Sequence, residues 1–276
     1  MPIKISSKLG NDNFRSMGII NNFRGIQTAE NLGIFMKEID TLLEKEAVEK
    51  VEYPMSLQGF YSTLFLVAKK NGTWRMVTNL KPLNNHLKKV HFKMDTMNNV
   101  INFVKPNDWA ISLDLSDAYL HVPIFQNHRQ YMRFHIGNQS YQWKAMCFGP
   151  TCAPRVFTKI VSVVAAFLRA QNIRLAVYLD DWLIVNQNRT HLIQDHQNCL
   201  NLLVSLGFII NKEKSSLVPC QKVTYLGGVF QLDQGVVFPT TERVDKIKTL
   251  IQSMFLGQAT ALDFLRLLGM MASCID

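Results

Sequence analysis

The stretch Tyr178-Leu179-Asp180-Asp181 interrupts two apolar runs, Leu175-Ala176-Val177 before it and Trp182-Leu183-Ile184-Val185 after it. The runs predict the arms of a β-hairpin and the acidic pair predicts its tip. An unpaired carboxylate taken out of water costs several kcal/mol, so an acidic pair on an otherwise apolar hairpin implies a cation partner. A second acidic pair, Asp114 and Asp117, follows the apolar-leaning run Trp109-Ala110-Ile111-Ser112-Leu113. Two strand ends that present carboxylates are what a two-metal phosphoryl-transfer site needs.

The rest of the chain sets bounds on that reading. Its 276 residues, 47% of them hydrophobic, suffice for one large core or two modest ones. A formal net charge of +9 suits a polyanionic partner, although charge alone identifies none. The five cysteines (Cys147, Cys152, Cys199, Cys220, Cys274) are odd in number and show no CxxC spacing. That pattern argues against a zinc site or a disulfide framework and fits an intracellular chain. The N-terminus lacks the apolar core of a signal peptide. The most apolar helical stretch, residues 160–168, is flanked by Lys159 and Arg169 and falls far short of the roughly 18–20 residues that cross a bilayer. A soluble intracellular protein with no membrane partner is expected. Nucleus and cytoplasm are not distinguished, and nothing in the residues sets an oligomeric state.

Along the chain, residues 1–28 are polar and aperiodic and read as a loose arm. Leu32, Phe35, Ile39, Leu42, Leu43 and Ala47 recur at spacings of three and four, which predicts an amphipathic helix over residues 30–49. Residues 60–68 read as a strand entering Lys69-Lys70-Asn71-Gly72, an Asn-Gly hairpin turn, with residues 73–78 returning. A helix is expected over 96–103, a strand ending at Asp114, a second hairpin over 131–143 turning at Gly137-Asn138, and a long helix over 154–171 with Pro154 in its first turn. A helix over 191–206 stopped by Gly207 follows, then short strands at 208–210 and 223–230, and helices over 242–255 and 261–272. Thr260 and Asp263 have capping-box spacing for the last helix. That helix is apolar nearly all round, so it belongs inside something: either it packs into this domain or the chain is a fragment lacking its next module, the reading preferred. His191 and His196 lie five apart, off the i, i+4 register of a helical zinc site, and read as solvated helix residues.

Taken in order, the segments Lys-Lys-x-Gly-x-Trp-Arg (69–75), Leu-Asp-Leu-Ser-Asp-Ala-Tyr (113–119), Phe-Gly-Pro-Thr-Cys-Ala-Pro (148–154), Tyr-Leu-Asp-Asp (178–181), Gly-Phe-Ile-Ile-Asn-Lys-Glu-Lys (207–214) and Tyr-Leu-Gly (225–227) resemble the successive motifs of reverse transcriptases. The wording around them, Ser-Leu-Asp-Leu-Ser-Asp-Ala-Tyr-Leu-His-Val-Pro-Ile, Ala-Pro-Arg-Val-Phe-Thr-Lys and Tyr-Leu-Asp-Asp-Trp-Leu-Ile, is similar to that of DIRS-type, tyrosine-recombinase retrotransposons. The resemblance implies an α+β right-hand polymerase. Residues 1–56 would form an arm and amphipathic helix, 57–232 fingers and an antiparallel-sheet palm, and 233–276 the truncated start of a thumb or connection. The implied reaction is RNA-directed DNA synthesis: a nucleotidyltransferase adding dNTPs to a primer 3′ end on an RNA or DNA template. Binding of the primer–template would run largely through its backbone.

On that resemblance the residues take roles. Asp114 and Asp180 are expected to bridge two Mg²⁺ ions, with Mn²⁺ a possible substitute, about 3.5–4 Å apart. Asp181 belongs to the family pattern as a metal residue, yet strand alternation sends its side chain to the other face unless the turn twists. Asp117 reads as structural or as a hydrogen-bond partner. Tyr119 matches the aromatic steric gate that excludes a ribose 2′-hydroxyl; the competing reading is a core tyrosine. Lys70 and Arg75 resemble the cationic pair that grips the incoming triphosphate, with Lys69 equally placed by spacing. Lys214 matches the proposed general acid for pyrophosphate, with Lys212 nearby. Gly149 lets backbone approach the nascent base pair, and Tyr225, Leu226 and Gly227 resemble a primer-grip hairpin. Phe148 stands where retroviral enzymes carry Gln, as in long-terminal-repeat elements, and Pro150 removes an N–H near the template contact. Trp182 fits the DIRS-type wording and otherwise packs as hairpin core. The alternative from another class is a degenerate or domesticated copy that binds nucleic acid without polymerising. Chelator sensitivity separates the two.

Overall fold

A computed structural model describes residues 29–275, apart from 69–71, 73 and 258. The arm expected over residues 1–28 lies outside the described residues. The chain divides into two interleaved compact units, one of Met1–Phe92 with Asp117–Ile160, the other of Lys93–Ser116 with Val161–Asp276.

In the first unit, helix Ala29–Glu44 turns Phe35 and Ile39, one helical turn apart, into a core shared with Leu64, Leu80, Leu83, Phe134 and Trp143. The spacing predicts helix to residue 49. The helix instead stops at Glu44, Glu46 takes a positive φ of 51°, and Val48–Val51 becomes a strand paired antiparallel with Gln139–Trp143. Val48 and Val51 are both buried, so the apolar residues that extend the helical period serve a sheet. The hairpin of Arg133–Ile136 and Gln139–Trp143 completes this three-stranded sheet, turning at Gly137-Asn138 as the sequence predicts. Strands Leu64–Ala68 and Trp74–Thr78 pair in register from Leu64↔Thr78 to Ala68↔Trp74.

In the second unit, four antiparallel strands run in the order Arg174–Tyr178, Asp181–Asn186, Trp109–Asp114, Ser216–Cys220. Trp182, Leu183, Ile184 and Val185 are all buried, which means that both faces of their strand are covered; a continuous apolar run is the sequence signature of such a strand. Helix Arg189–Ser205 begins at Asn188, whose side chain accepts from the N–H groups of Thr190 and His191, and lays Leu192, His196, Cys199 and Leu203 inward. His196 is therefore not solvated: it sits one turn from Leu192 on the buried stripe, and burial pulls its pKa down. Burial also pushes the Cys199 thiol up to about 12.

Thr96 caps helix Met97–Phe103 with a reciprocal capping box to Asn99. The stretch 223–230, a single strand by its apolar pattern and a hairpin by the motif resemblance, is a hairpin, Lys222–Tyr225 against Gly228–Gln231, joined to Val236–Pro239. Its two loop residues, Leu226 and Gly227, both have positive φ, the type I′ requirement. Of residues 208–210, Ile210 alone forms a bridge, to Leu115. Helices Thr241–Phe255 and Ala261–Ile275 pack on each other, and Thr260 and Asp263 close the expected capping box. The last helix is not buried in this chain: Leu262, Phe264, Leu265, Leu268 and Met271 are exposed. Among the described residues, no helix is long and apolar enough to cross a membrane.

Candidate active site

The second unit gathers the acidic residues at one end of its four-stranded sheet. Asp114 ends its strand and Asp181 begins the neighbouring one, and the two are direct partners in the antiparallel register. Directly opposed residues share a face of the sheet. The register therefore answers the alternation argument against Asp181, which stands level with Asp114. Asp180 occupies the turn between Tyr178 and Asp181, and its carbonyl accepts from the Leu115 N–H at 3.0 Å. Leu179, the first loop residue, has φ 55°, a region that L side chains other than Asn and Asp enter at a cost.

Like charges directly opposed across a ladder are destabilising, and the carboxyls register this. Burial first, then Asp180 and Asp114, push the Asp181 carboxyl up to about 6, with Lys214 pulling the other way. Burial also raises the Asp114 carboxyl, helped by Asp180 and opposed by Lys214 and by a hydrogen bond from the Asn211 side chain. Three half-buried carboxylates that repel one another suit a hard divalent cation with oxygen ligands. The side chains are not gathered into a ready cage: among the described residues, no three His, Cys, Asp or Glu side chains stand close enough to hold an ion.

Two supports of this cluster escape the sequence reading. Tyr225 is buried, and its hydroxyl donates to the Asp181 carbonyl at 3.0 Å. Its ring belongs to the core with Leu183, Val185 and Phe230, so it braces the acidic hairpin from behind; its side chain is not free to hold a primer. The expected grip is left to Leu226 and Gly227, and Leu226 itself packs partly against that core. The other support is Ser215, whose hydroxyl accepts from the Asp114 N–H at 3.0 Å. Lys214 is exposed and lies near enough to lower both Asp114 and Asp181.

The remaining expected residues belong to the first unit. Lys69 and Lys70 lie outside the described residues. Arg75 is exposed on strand Trp74–Thr78, opposite Val67. Tyr119 is buried as a core tyrosine would be, with its ring edge-on to Phe148 at 4.7 Å and to Phe157 at 5.5 Å between centroids. Phe148 itself is exposed. Gly149 has φ 122°, and a Cβ there would meet Leu80 Cδ1 at 3.1 Å, so this position requires glycine. Asn84, which the sequence reading passed over, holds the loop: its amide donates to the Gly149 carbonyl at 2.9 Å and its oxygen accepts from the Thr151 N–H at 2.9 Å. Asp117 takes φ 48° and accepts from Lys45 Nζ at 2.7 Å.

An antiparallel sheet flanked by helices, with opposed carboxylates at one end, defines a right-hand polymerase of the reverse-transcriptase type. The foamy viral protease–reverse transcriptase, solved in complex with dsDNA, shares this fold. It superposes with a TM-score of 0.70 at 20% identity over 87% of this chain and 47% of its own. The model for "Reverse transcriptase (RNA-dependent DNA polymerase)" matches residues 67–230, and the chain belongs to that family. It is 28% identical over 202 residues to the enzymatic polyprotein of Soybean chlorotic mottle virus, covering 72% of this chain and 28% of that protein. It is also 28% identical over 196 residues to the Gag-Pol polyprotein of Rous sarcoma virus, covering 67% of this chain and 12% of that protein. The chain thus spans less than a third of the curated relatives named here.

Proposed function

We propose that this chain is the polymerase core of a retroelement that extends a primer 3′ end with deoxynucleotides on an RNA or DNA template. The observation that carries the reading is the cross-strand register of Asp114 with Asp181, beside Asp180 in the adjoining turn. Asp114, Asp180 and Asp181 would hold two Mg²⁺ ions, or Mn²⁺ in their place. When bound, such ions lower the pKa of an attacking hydroxyl and offset charge on a transferring phosphoryl group.

The chain's own residues supply the rest. Lys214, exposed at the rim of the cluster, holds a proton for the pyrophosphate leaving group. Arg75, with Lys69 and Lys70, grips the triphosphate, where the planar guanidinium suits bidentate contact and an ammonium acts as a point charge. On the motif resemblance, Tyr119 would be the steric gate under the sugar, and Gly149 would let backbone approach the base pair. The Leu226–Gly227 turn meets the primer through its main chain. Residues 57–232 would act as fingers and palm, and the helices after residue 240 as the start of a thumb. The motif wording assigns the element to the DIRS type, and the basic chain favours a duplex partner, the kind of ligand the foamy viral enzyme binds in its dsDNA complex.

The test is primer extension on poly(rA)–oligo(dT) with Mg²⁺ and dTTP, beside an Asp180→Asn control. Extension by the wild type, reduced by about 10²–10³-fold or more in the control, is the expected result. A folded wild type that binds duplex without extending it refutes the reading and favours a copy that only binds nucleic acid.

A further inference from the structure

We propose that Lys45 is a positioning residue for Tyr119. It acts through its ion pair with Asp117, at the head of the short helix that carries the tyrosine, and sharpens the selection of deoxyribose over ribose. The inference rests on the polymerase reading above, in which Tyr119 is the gate under the sugar.

Tyr119 lies in the single-turn 3₁₀ helix Ala118–His121, and so short a helix takes its geometry from its attachments. Main-chain bonds fix its exit. The Val122 N–H donates to the Tyr119 carbonyl at 3.0 Å, the Met146 N–H to the Val122 carbonyl at 2.8 Å, and the Ile124 N–H to the Lys144 carbonyl at 2.7 Å. Its entry is Asp117, with φ 48° and ψ 39°. An aspartate that precedes a helix ordinarily caps it with its carboxylate. The Asp117 side chain makes no capping bond and instead takes the Lys45 ammonium, Nζ to Oδ2 at 2.7 Å.

Lys45 is itself held in place. Helix Ala29–Glu44 closes in a Schellman motif: Glu46 has φ 51°, its N–H donates to the Leu43 carbonyl, and the Ala47 N–H donates to the Leu42 carbonyl, both at 2.9 Å. The Ala47 carbonyl then accepts from the Lys144 and Ala145 N–H groups at 2.8 and 3.1 Å. Glu46 also pairs with Lys144 Nζ at 3.2 Å. One corner of the chain therefore grips the 144–146 segment, which fixes the exit of the Tyr119 helix, and Asp117, which fixes its entry. The Lys45 and Asp117 side chains remain 46% and 49% exposed, and exposed pairs contribute little to stability. Breaking this one tie leaves the main-chain bonds and the fold standing, and loosens the angle at which the helix presents the tyrosine.

The experiment measures kcat/KM for dTTP and for UTP on poly(rA)–oligo(dT), with urea midpoints alongside. The proteins are the wild type, Lys45→Ala, Lys45→Arg, Asp117→Asn, Tyr119→Ala and the double variant Lys45→Ala/Asp117→Asn. Asn tolerates a positive φ as Asp does, so Asp117→Asn removes the charge and keeps the turn. Lys45→Ala and Asp117→Asn should each lower the preference for dTTP about two- to fivefold, the factor an exposed ion pair carries. The loss should come from a rise in UTP use with dTTP use little changed, whereas a merely structural defect lowers both. The double variant should lose no more than either single one, and Lys45→Arg, which keeps the pair, should retain the wild-type preference. Should Lys45→Ala fail to fold, Asp117→Asn decides. Folded single variants with the wild-type preference, or losses that add in the double variant, overturn this inference alone. A Tyr119→Ala protein that keeps the preference overturns the gate and the task of Lys45 together, with extension untouched. A wild type that extends no primer refutes the polymerase reading and this inference with it.

Discussion

Two tight hairpin turns in this molecule share a backbone pattern and differ in the residue that takes the positive φ. In the first unit, Gly137-Asn138 links Ile136 to Gln139; in the second, Leu179-Asp180 links Tyr178 to Asp181. Each has a positive φ at the first loop residue and not at the second, 56° for Gly137 and 55° for Leu179. This is the pattern for which hairpins prefer glycine. The Gly137 turn follows the preference and touches no candidate site residue. The Leu179 turn violates it and carries Asp180. Strain of this kind persists where the surroundings over-determine it. Here the Tyr225 hydroxyl, the Leu115 N–H and the Asp114–Asp181 pairing hold the turn from three sides.

Exchanging the residues should break the symmetry in opposite senses. Gly137→Leu imposes the strain where nothing compensates and should destabilise the protein by about 1–3 kcal/mol. The lowered urea midpoint should come with an unchanged extension rate per folded molecule. Leu179→Gly relieves the strain, less the entropy that glycine loses on folding, for a net gain of about 1 kcal/mol. Its extension rate should nevertheless fall about tenfold, because a looser turn misplaces the carboxylate. A Leu179→Gly protein that is more stable and equally fast would show that the strain serves no positioning role.

The smallest effect sharpens the comparison through pH. Burial and the neighbouring Asp180 and Asp114 push the Asp181 carboxyl up to about 6, from an ordinary carboxyl value of 3.8. Because the folded state holds this proton more tightly, the stabilisation is complete below pH 3.8 and is lost as pH rises through about 6. In divalent-free buffer, the wild type should lose stability relative to Asp181→Asn across that window. Added Mn²⁺ should remove the loss. Urea midpoints of the two proteins, measured with and without the ion, give the difference directly.

The features legible in the sequence were those set by local chemistry. Apolar runs ending in Asp114 and in Tyr178-Leu179-Asp180-Asp181, the Gly137-Asn138 turn, and the Thr260–Asp263 capping box all express rules that act within a few residues. What was missed depends on distant partners. Val48–Val51 continues a helical period in the sequence and becomes a strand because Gln139–Trp143 offers it an edge. The apolar pattern alone reads residues 223–230 as one strand because Leu226 is not a turn residue by propensity, although its φ is 49°; only the motif resemblance marks a hairpin at Tyr225–Gly227. His196 is polar yet buried, on a stripe defined by the sheet beneath it. Tyr225 and Ser215 act on residues 44 and 101 positions away, beyond the reach of spacing. The motif resemblance located the carboxylates, and the register alone put Asp181 level with Asp114.

The central claim is that the acidic end of this sheet is a divalent-ion site, and Mn²⁺ titration of the wild type and Asp181→Asn, read by electron paramagnetic resonance at pH 8, tests it most directly. The account predicts saturable binding by the wild type and an affinity at least about tenfold weaker in the variant. Equal affinities in two folded proteins would place the ion elsewhere and contradict the account.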